Sequence, residues 1–171
     1  MSILETIRNR RSIREFQARP IPEEAIANLI DALIWAPSAG NLQSRKFYFV
    51  FNKKIKEELA RAANEQNFVA QAPLIVVGCS DDRIEQRYYE RGKKLYSICD
   101  VAMSIQNLML LASDLNLGTV PVGAFDEARV SKILNVPKNL HPILIVPVGY
   151  PAEKPEAPSR VSPAEALEII L

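Results

Sequence analysis

The chain has 171 residues, 48% of them hydrophobic, which suits a single domain over residues 1–171 with a sizeable core. Its 21 basic residues almost balance its 20 acidic ones, and a formal net charge of +1 excludes a general attraction to nucleic acid. Cys79, Cys99 and His141 do not have the spacing of metal ligands, so we expect no metal site.

The amino-terminal residues contain Glu5 and Arg8 and have no long apolar run, so they do not have the pattern of a secretory signal. The most apolar stretch, 98–115, is interrupted by Asp100 and Asp114 and falls short of the roughly 20 apolar residues of a membrane span. We therefore expect a cytoplasmic protein without a membrane segment. Its cysteines should be reduced and should pack as small buried residues.

Helix signals dominate the first part of the chain. Ser2 and Glu5 form a capping box, which predicts a short helix that ends near Arg8. Pro22 is a favoured first residue for a second helix, whose apolar face consists of Ile26, Leu29, Ile30, Leu33 and Ile34. This helix should end near Trp35, because Pro37 cannot continue it.

Three runs of β-branched and aromatic residues predict strands at 46–51, 74–77 and 143–146, and we expect the last two to be central. A polar helix is predicted over about 53–65, and the charged segment 81–94 is a candidate mobile lid. Apolar residues on two faces of 95–115 predict a long central helix that is enclosed nearly all round.

The end of the chain alternates short elements with prolines. Gly118 is predicted to end the long helix, and a short strand at 119–122 and a helix capped by Asp126 follow. Four prolines between positions 151 and 163 predict a stiff extended connection, after which Ser162 begins a last helix. Because the strands and helices do not alternate regularly, we predict an α+β or three-layer architecture.

Three segments carry residues suited to chemistry. The first can hold a phosphate by charge-assisted hydrogen bonds, although a basic run is more often a solvated turn; it consists of Arg10, Arg11, Ser12 and Arg14. The second, 36–44, would let its backbone approach a flat ligand, or would form an ordinary turn. In the third, the N–H groups of Gly123 and Ala124 can donate to a ring nitrogen, or belong to a plain strand-to-helix turn.

In their order and spacing these segments resemble the nitroreductase family of flavoproteins over nearly the full chain. The matching motifs are RRSIREF at 10–16, APSAGNLQ at 36–43, DVAMSIQNLMLLASDLNLG at 100–118 and VGAFDE at 122–127. Four motifs in the expected order are much more specific than any one of them. The resemblance implies a three-layer fold in which helices flank a central, mostly antiparallel sheet, with a long buried central helix.

The resemblance also implies FMN as the cofactor. Arg10, Arg11 and Ser12 would hold its phosphate and ribityl chain, and Arg160 would add another guanidinium. The family often has a further basic residue beside that last position, where this chain has Ser159. Arg14 would lie at the N1 and C2 carbonyl edge of the flavin, where a cation stabilises the negative charge that reduction produces.

Further parts of the site follow from the same resemblance. Backbone N–H groups of Gly123 and Ala124 would face flavin N5, while Pro121 and Val122 pack along the ring. Asn67 would reach the pyrimidine edge, or would be a simple helix-end cap. The other protomer of a homodimer would enclose the flavin with Pro37, Ser38, Ala39, Asn41 and Gln43.

The implied activity is a ping-pong reaction in which NADH or NADPH reduces FMN and a nitroaromatic, a quinone or a similar electron-poor acceptor reoxidises it. No side chain is required as an acid or base, and we assign no role to His141. The alternatives are a related flavoenzyme, such as a dehalogenase, enoate reductase or flavin-fragmenting enzyme, and a flavin-binding redox sensor without turnover. Binding of nucleic acid through 8–14 is disfavoured by the balanced charge.

Overall fold

The computed structural model of the chain describes residues 2–171. Its helices are α1 Ile3–Asn9, α2 Glu23–Ile34, α3 Lys53–Ala62, α4 Phe68–Gln71, α5 Glu85–Arg91, α6 Ser97–Asp114, α7 Glu127–Leu134 and α8 Pro163–Ala166. Its strands are β1 Arg45–Val50, β2 Leu74–Asp81, β3 Gly118–Thr119 and β4 Leu140–Gly149. Short helical turns at 39–41 and 82–84 and a π-helical turn at 92–96 complete the elements.

The four strands form one antiparallel sheet in the order β1-β2-β4-β3. The central position of β2 and β4 confirms the prediction made from their β-branched residues. Successive residues of β2 point to opposite faces, so Ile75 and Val77 enter one hydrophobic cluster while Leu74 and Val76 enter another. A strand that is buried on both faces must be apolar at every position, as β2 is.

Helices cover both faces of the sheet and give three layers. On one face, α2 and α6 pack together and against the sheet through buried residues that include Leu29, Leu33, Val101, Ile105 and Leu108. On the other face, α3, α4 and α7 contribute Leu59, Val69 and Val130. The α+β, three-layer prediction is therefore confirmed.

Most predicted helix ends are confirmed by their capping contacts. Capping boxes join Ser2 to Glu5 and Ser162 to Glu165, and the Asp126 side chain accepts a hydrogen bond from the backbone N–H of Arg129. Helix α2 begins one residue later than predicted, at Glu23, so Pro22 is the residue before the helix and not its first residue.

The end of α6 differs from the prediction. Asn116, with φ of 59°, supplies the left-handed residue that we had assigned to Gly118. The N–H of Leu117 then reaches back to the Ala112 carbonyl oxygen at 2.7 Å. Asparagine tolerates this backbone because its short amide interacts with nearby peptide groups. Gly118 instead belongs to β3.

In a single chain, parts of the predicted apolar faces of α2 and α6 are exposed, so two predictions of burial are wrong. Ile30 and Ile34 lie on the apolar face of α2 but are 43% and 51% exposed. On α6, which we expected to be enclosed nearly all round, Ile98, Cys99 and Met103 are exposed. The reason is geometric, because α6 packs against α1, α2 and the sheet, and no element within residues 2–171 buries the face that carries Ile98, Cys99 and Met103. An apolar surface of this kind is typical of a contact with another molecule.

The helical stretch 82–114 has the length and apolar composition of a membrane-spanning helix. Its α6 part nevertheless packs against α2 and the sheet, with buried residues that include Val101, Ile105 and Leu108. The core helices of folded domains have the same composition, so we assign this helix to the core.

The charged segment 81–94, a candidate lid, is helical over most of its length and is tethered at its start. Asp81 is buried and accepts hydrogen bonds from Arg83 and Asn139. Asp82 pairs with Lys93 and with His141. These contacts fix the beginning of the segment to the end of the sheet, and its mobility stays a prediction.

His141 gives a pH-dependent contribution to stability. Its Nε2 lies 2.9 Å from an Asp82 oxygen and its Nδ1 lies 3.0 Å from a Glu127 oxygen. The hydrogen bond to Asp82, with that to Glu127, raises the pKa of His141 above its ordinary value of 6.5, although partial burial opposes this. The stabilisation is therefore complete below the unfolded pKa and is lost as the pH rises through the raised folded pKa.

We expect His141→Gln to lower the melting temperature most below about pH 6 and progressively less towards about pH 8.5. Thermal unfolding of both proteins over this range measures the difference. A difference that stays constant with pH would mean that the charge on His141 does not contribute.

Candidate functional site

The basic segment after α1 is held beside the sheet by backbone hydrogen bonds. The N–H of Ile13 donates to the Thr119 carbonyl oxygen at 3.0 Å, and the N–H of Gln17 donates to the Tyr150 carbonyl oxygen at 2.9 Å. Ile13 and Phe16 are buried beneath this extended segment. Because side chains alternate along extended backbone, Ser12 and Arg14 lie on the opposite side from Ile13.

This arrangement brings the predicted phosphate-binding residues together. A cavity of about 280 Å³ is lined by Arg10, Arg11, Ser12, Arg14, Pro155, Glu156, Pro158 and Arg160. The proline-rich tail therefore carries Arg160 back to the amino-terminal arginines. The Arg160 guanidinium also donates to the Ser159 carbonyl oxygen at 3.0 Å, so Ser159 contributes backbone at the position where the family often has a basic residue.

The cavity is electropositive. Four guanidinium groups line it against one carboxylate, that of Glu156, and none of the four forms an ion pair in the described part of the chain. Partial burial, together with repulsion from Arg160 and Arg11, lowers the pKa of Arg10. Four guanidinium groups held together with a single carboxylate in the lining favour a bound anion, and a phosphate monoester has the matching charge.

The second group of predicted residues is the turn after β3. Val122 exchanges two backbone hydrogen bonds with Ile145, after which Gly123 and Ala124 are exposed. Among residues 2–171, neither N–H donates a hydrogen bond. Two free adjacent N–H groups on a fixed turn can donate hydrogen bonds to an acceptor atom of a ligand.

Two side chains that we did not predict hold this turn. The amides of Asn64 and Gln66 lie 3.3 and 3.4 Å from the Ala124 carbonyl oxygen. Nothing in the local sequence singles them out, because the contact joins segments far apart in the chain. Asn67, which we did predict, precedes α4 and is exposed. Its side chain makes no capping hydrogen bond, so the helix-cap alternative is wrong and its contact with a flavin stays a prediction.

The third group is the loop between α2 and β1. Gly40, Asn41 and Gln43 all have left-handed backbone, which folds the loop tightly. Arg45, another residue that we did not predict, donates to the carbonyl oxygens of Ala36 at 2.7 Å and Pro37 at 3.0 Å. A cation close to a helix carboxyl end is a signal that could have identified it.

Asp100 holds the same loop from the side of α6. Its Oδ1 accepts a hydrogen bond from the Ala39 N–H at 2.9 Å, and its carboxylate attracts the guanidinium of Arg45. Asp100 is 1% exposed, and its Oδ2 has no hydrogen-bond partner in the structure. This buried carboxylate fixes the position of the loop relative to α6.

Within one chain, the three groups do not form a single cavity. A separate cavity of about 450 Å³ is lined by Ile34, Trp35, Ala36, Pro37, Asn41 and Gln43, and Ser38 and Ala39 belong to the same loop. None of these residues lines the arginine cavity. Pro121, Val122, Gly123 and Ala124 border neither cavity.

Of the two cysteines, Cys79 does not add a reactive group to these segments. Cys79 is buried in β2, and burial, with a smaller effect of Glu127, raises the pKa of its thiol to about 12. It is therefore protonated and unreactive at neutral pH. Cys99 is exposed on α6, contrary to our prediction of burial.

Gly118 links the stability of the fold to the arginine cavity. A Cβ at this position would lie 2.6–2.9 Å from three atoms of the Ile13 side chain. We expect Gly118→Ala to lower the stability by about 1–3 kcal/mol through overpacking. It should also weaken anion binding, because a displaced Ile13 moves Ser12 and Arg14.

A matched control is Gly123→Ala, whose Cβ would meet only Leu144 at 3.8 Å and should leave the melting temperature unchanged. Calorimetric unfolding of both variants checks the comparison. Equal melting temperatures for the two variants would contradict it.

Comparison with known proteins places this geometry in a family. The sequence pattern of the nitroreductase family matches residues 7–86 and 63–150. A Methanothermobacter thermautotrophicus protein, provisionally named as an NADH dehydrogenase/NAD(P)H nitroreductase, is 33% identical over 91% of this chain and 80% of its own. An NADH dehydrogenase from Thermus thermophilus is 30% identical over 85% of this chain and 84% of its own.

A solved structure shares the fold as well. The NADPH:FMN oxidoreductase of Vibrio harveyi, determined in complex with NAD⁺, is 28% identical and superposes with a TM-score of 0.90. The match covers 98% of this chain and 76% of that one. From its sequence and from its three-layer fold with a long central helix, this chain belongs to the nitroreductase family.

Proposed function

We propose that this chain is an FMN-dependent NAD(P)H oxidoreductase of the cytoplasm, with one FMN-binding domain over residues 1–171. The observation that carries the proposal is the small cavity lined by four guanidinium groups that form no ion pair within residues 2–171. Relatives named as FMN reductase and as NADPH-flavin oxidoreductase, 26% and 30% identical, support the choice of cofactor.

The residues fit the parts of FMN. Arg10, Arg11, Ser12 and Arg160 would hold its phosphate and ribityl chain by charge-assisted hydrogen bonds. Arg14 has no ion-pair partner among the described residues and would face the edge of the flavin that becomes negatively charged. The chemistry that bound FMN supplies is two-electron transfer between NAD(P)H and an acceptor.

The turn after β3 would orient the flavin at its reactive nitrogen. The free N–H groups of Gly123 and Ala124 would donate there, with Pro121 and Val122 along the ring. Asn67 would lie at the pyrimidine edge. Since none of these contacts needs a titrating side chain, no protein acid or base is assigned to the reaction.

The complete site would require a homodimer. The loop that holds Pro37, Ser38, Ala39, Asn41 and Gln43 borders a cavity separate from the arginines, so a second chain would bring the two together. Exposed apolar side chains, Ile34 and Trp35 beside this loop and Ile98 on α6, supply a surface suited to burial between protomers.

The proposed reaction is ping-pong. NADH or NADPH would reduce the flavin and leave, and a nitroaromatic, quinone or similar electron-poor acceptor would then occupy the same open face. Gly123 and Ala124 carry no bulky side chain, so they would leave the flavin nitrogen beside them open to both partners.

The absorption spectrum and molar mass of the purified protein test the proposal. We expect flavin bands, a mass of two chains, and loss of the flavin colour on anaerobic mixing with NADH or NADPH, restored by a quinone. Protein that is colourless and takes up no FMN in calorimetry would overturn the assignment of cofactor. Flavin that is bound but not reduced would overturn the enzymatic function.

A further inference from the structure

The basic residues of the charged segment after β2 differ in whether they form ion pairs. Between 82 and 96 it contains five basic residues. Three are neutralised by neighbouring carboxylates, in the ion pairs Arg83 with Asp81, Lys93 with Asp82 and Lys94 with Glu90. Arg87 and Arg91 form no ion pair anywhere in 2–171. Their two charges are therefore available to a ligand.

Both free arginines lie against aromatic rings. The Arg87 guanidinium carbon is 5.8 Å from the centre of the Tyr88 ring, and that of Arg91 is 5.6 Å from the centre of the Tyr96 ring. Arg91 also donates to the Tyr96 hydroxyl at 3.1 Å. The two rings meet edge to face with centres 5.4 Å apart. We call these four residues the arginine–tyrosine cluster.

The cluster adjoins the loop between α2 and β1. A Cβ at Gly40 would clash with the Tyr88 hydroxyl, so Gly40 allows the ring to lie directly on the loop. On the other side, a Cβ at Gly92 would lie 2.7 Å from the Tyr88 Cβ. Tyr88 is thus fixed between two glycines, and it holds the cluster beside the residues that would enclose the flavin.

The backbone next to Tyr88 is unusual. Tyr89 has φ of 51° and ψ of −154°, a conformation that is largely restricted to glycine, and its side chain is 78% exposed. Strained backbone persists only where the surrounding packing fixes it, as the packing of Tyr88 does here. The kink leaves a third tyrosine, two positions after Arg87, open to solvent.

We propose that the arginine–tyrosine cluster binds the 2′-phosphorylated adenosine of NADPH and makes the enzyme prefer NADPH to NADH. The inference rests on the proposed function. Guanidinium groups recognise a phosphate dianion by paired hydrogen bonds, and tyrosine rings offer flat surfaces for an adenine. NADH lacks the 2′-phosphate, so the two unpaired guanidinium groups would not strengthen its binding.

Equilibrium binding to the FMN-loaded protein tests the cluster without turnover. We expect adenosine 2′,5′-bisphosphate to bind at least about 10-fold more tightly than AMP in calorimetric titrations. The Arg87→Ala/Arg91→Ala double variant should lose this preference. Lys94→Ala, which removes a charge already paired with Glu90, should retain it.

Steady-state kinetics give a second measurement. In the double variant the KM for NADPH should rise about 10- to 100-fold, while its kcat and the KM for NADH stay unchanged. Equal binding of the two probes by the parent protein, or unchanged NADPH kinetics in the double variant, overturns the inference and leaves the proposed function in place. Failure of the parent protein to take up FMN overturns both.

Discussion

Replacing Arg10 with alanine is expected to weaken FMN binding about 10- to 100-fold. A hydrogen bond to a charged group contributes about 1.5–3 kcal/mol, and each 1.4 kcal/mol changes a dissociation constant tenfold. Arg10 is the guanidinium in the cavity whose pKa is lowered by burial and by its neighbours Arg160 and Arg11, so its charge is the one most in need of an anion. Fluorescence titration of apoprotein with FMN measures the change.

The matched control is Arg8→Ala. Arg8 lies in the last turn of α1, only two positions away, but it does not line the cavity. The two variants have the same net charge, so a general electrostatic effect would weaken both equally. Equal dissociation constants for the two variants would therefore contradict a specific phosphate contact at Arg10. A reduced salt dependence of binding in Arg10→Ala alone would support it.

Replacing Arg14 with alanine should make bound FMN harder to reduce. The guanidinium is exposed and lines the arginine cavity without an ion-pair partner within 2–171, so its charge would be available to a bound flavin. For one solvent-screened charge acting on a two-electron couple, we expect the midpoint potential to fall by roughly 20–40 mV. Some FMN should be retained, because Arg10, Arg11 and Arg160 are unchanged. Spectroelectrochemical titration measures the potential.

Arg14→Lys separates the charge from the shape of the side chain. Lysine keeps the positive charge but lacks the planar guanidinium, so most of the potential should be recovered. If Arg14→Ala has the potential of the parent protein, Arg14 does not face the redox-active edge. If Arg14→Lys behaves as Arg14→Ala does, the hydrogen-bond geometry matters more than the charge.

Local sequence signals predicted most of the elements because their causes are local. The Ser2 and Glu5 side chains reach backbone groups three residues away, so a capping box is legible without knowledge of the fold. The β-branched run of β2 is apolar at every position because the strand is buried on both faces. The left-handed residue after α6 was misplaced for a local reason as well, since asparagine and glycine both tolerate that backbone.

Exposure could not be predicted in the same way. Ile30 and Ile34 follow the same helical periodicity as Leu29 and Leu33, but only the leucines are buried in the cluster that α2 forms with α6 and the sheet. Periodicity identifies the apolar face of a helix and does not say which element covers each part of it. The same reasoning explains Cys99, whose apolar neighbours on α6 are exposed along with it.

The sequence by itself determined the residue types of the candidate site and the family, because both lie in short motifs that are read in order along the chain. Only the tertiary structure decided which charges meet. It brings Arg160 to the cavity of Arg10 from the opposite end of the chain, and it neutralises Arg83 and Lys93 while leaving Arg87 and Arg91 without an ion pair among residues 2–171. The physical reason is that the neutralisation of a charge depends on which groups lie within a few ångströms of it. Those neighbours come from segments far apart in the sequence.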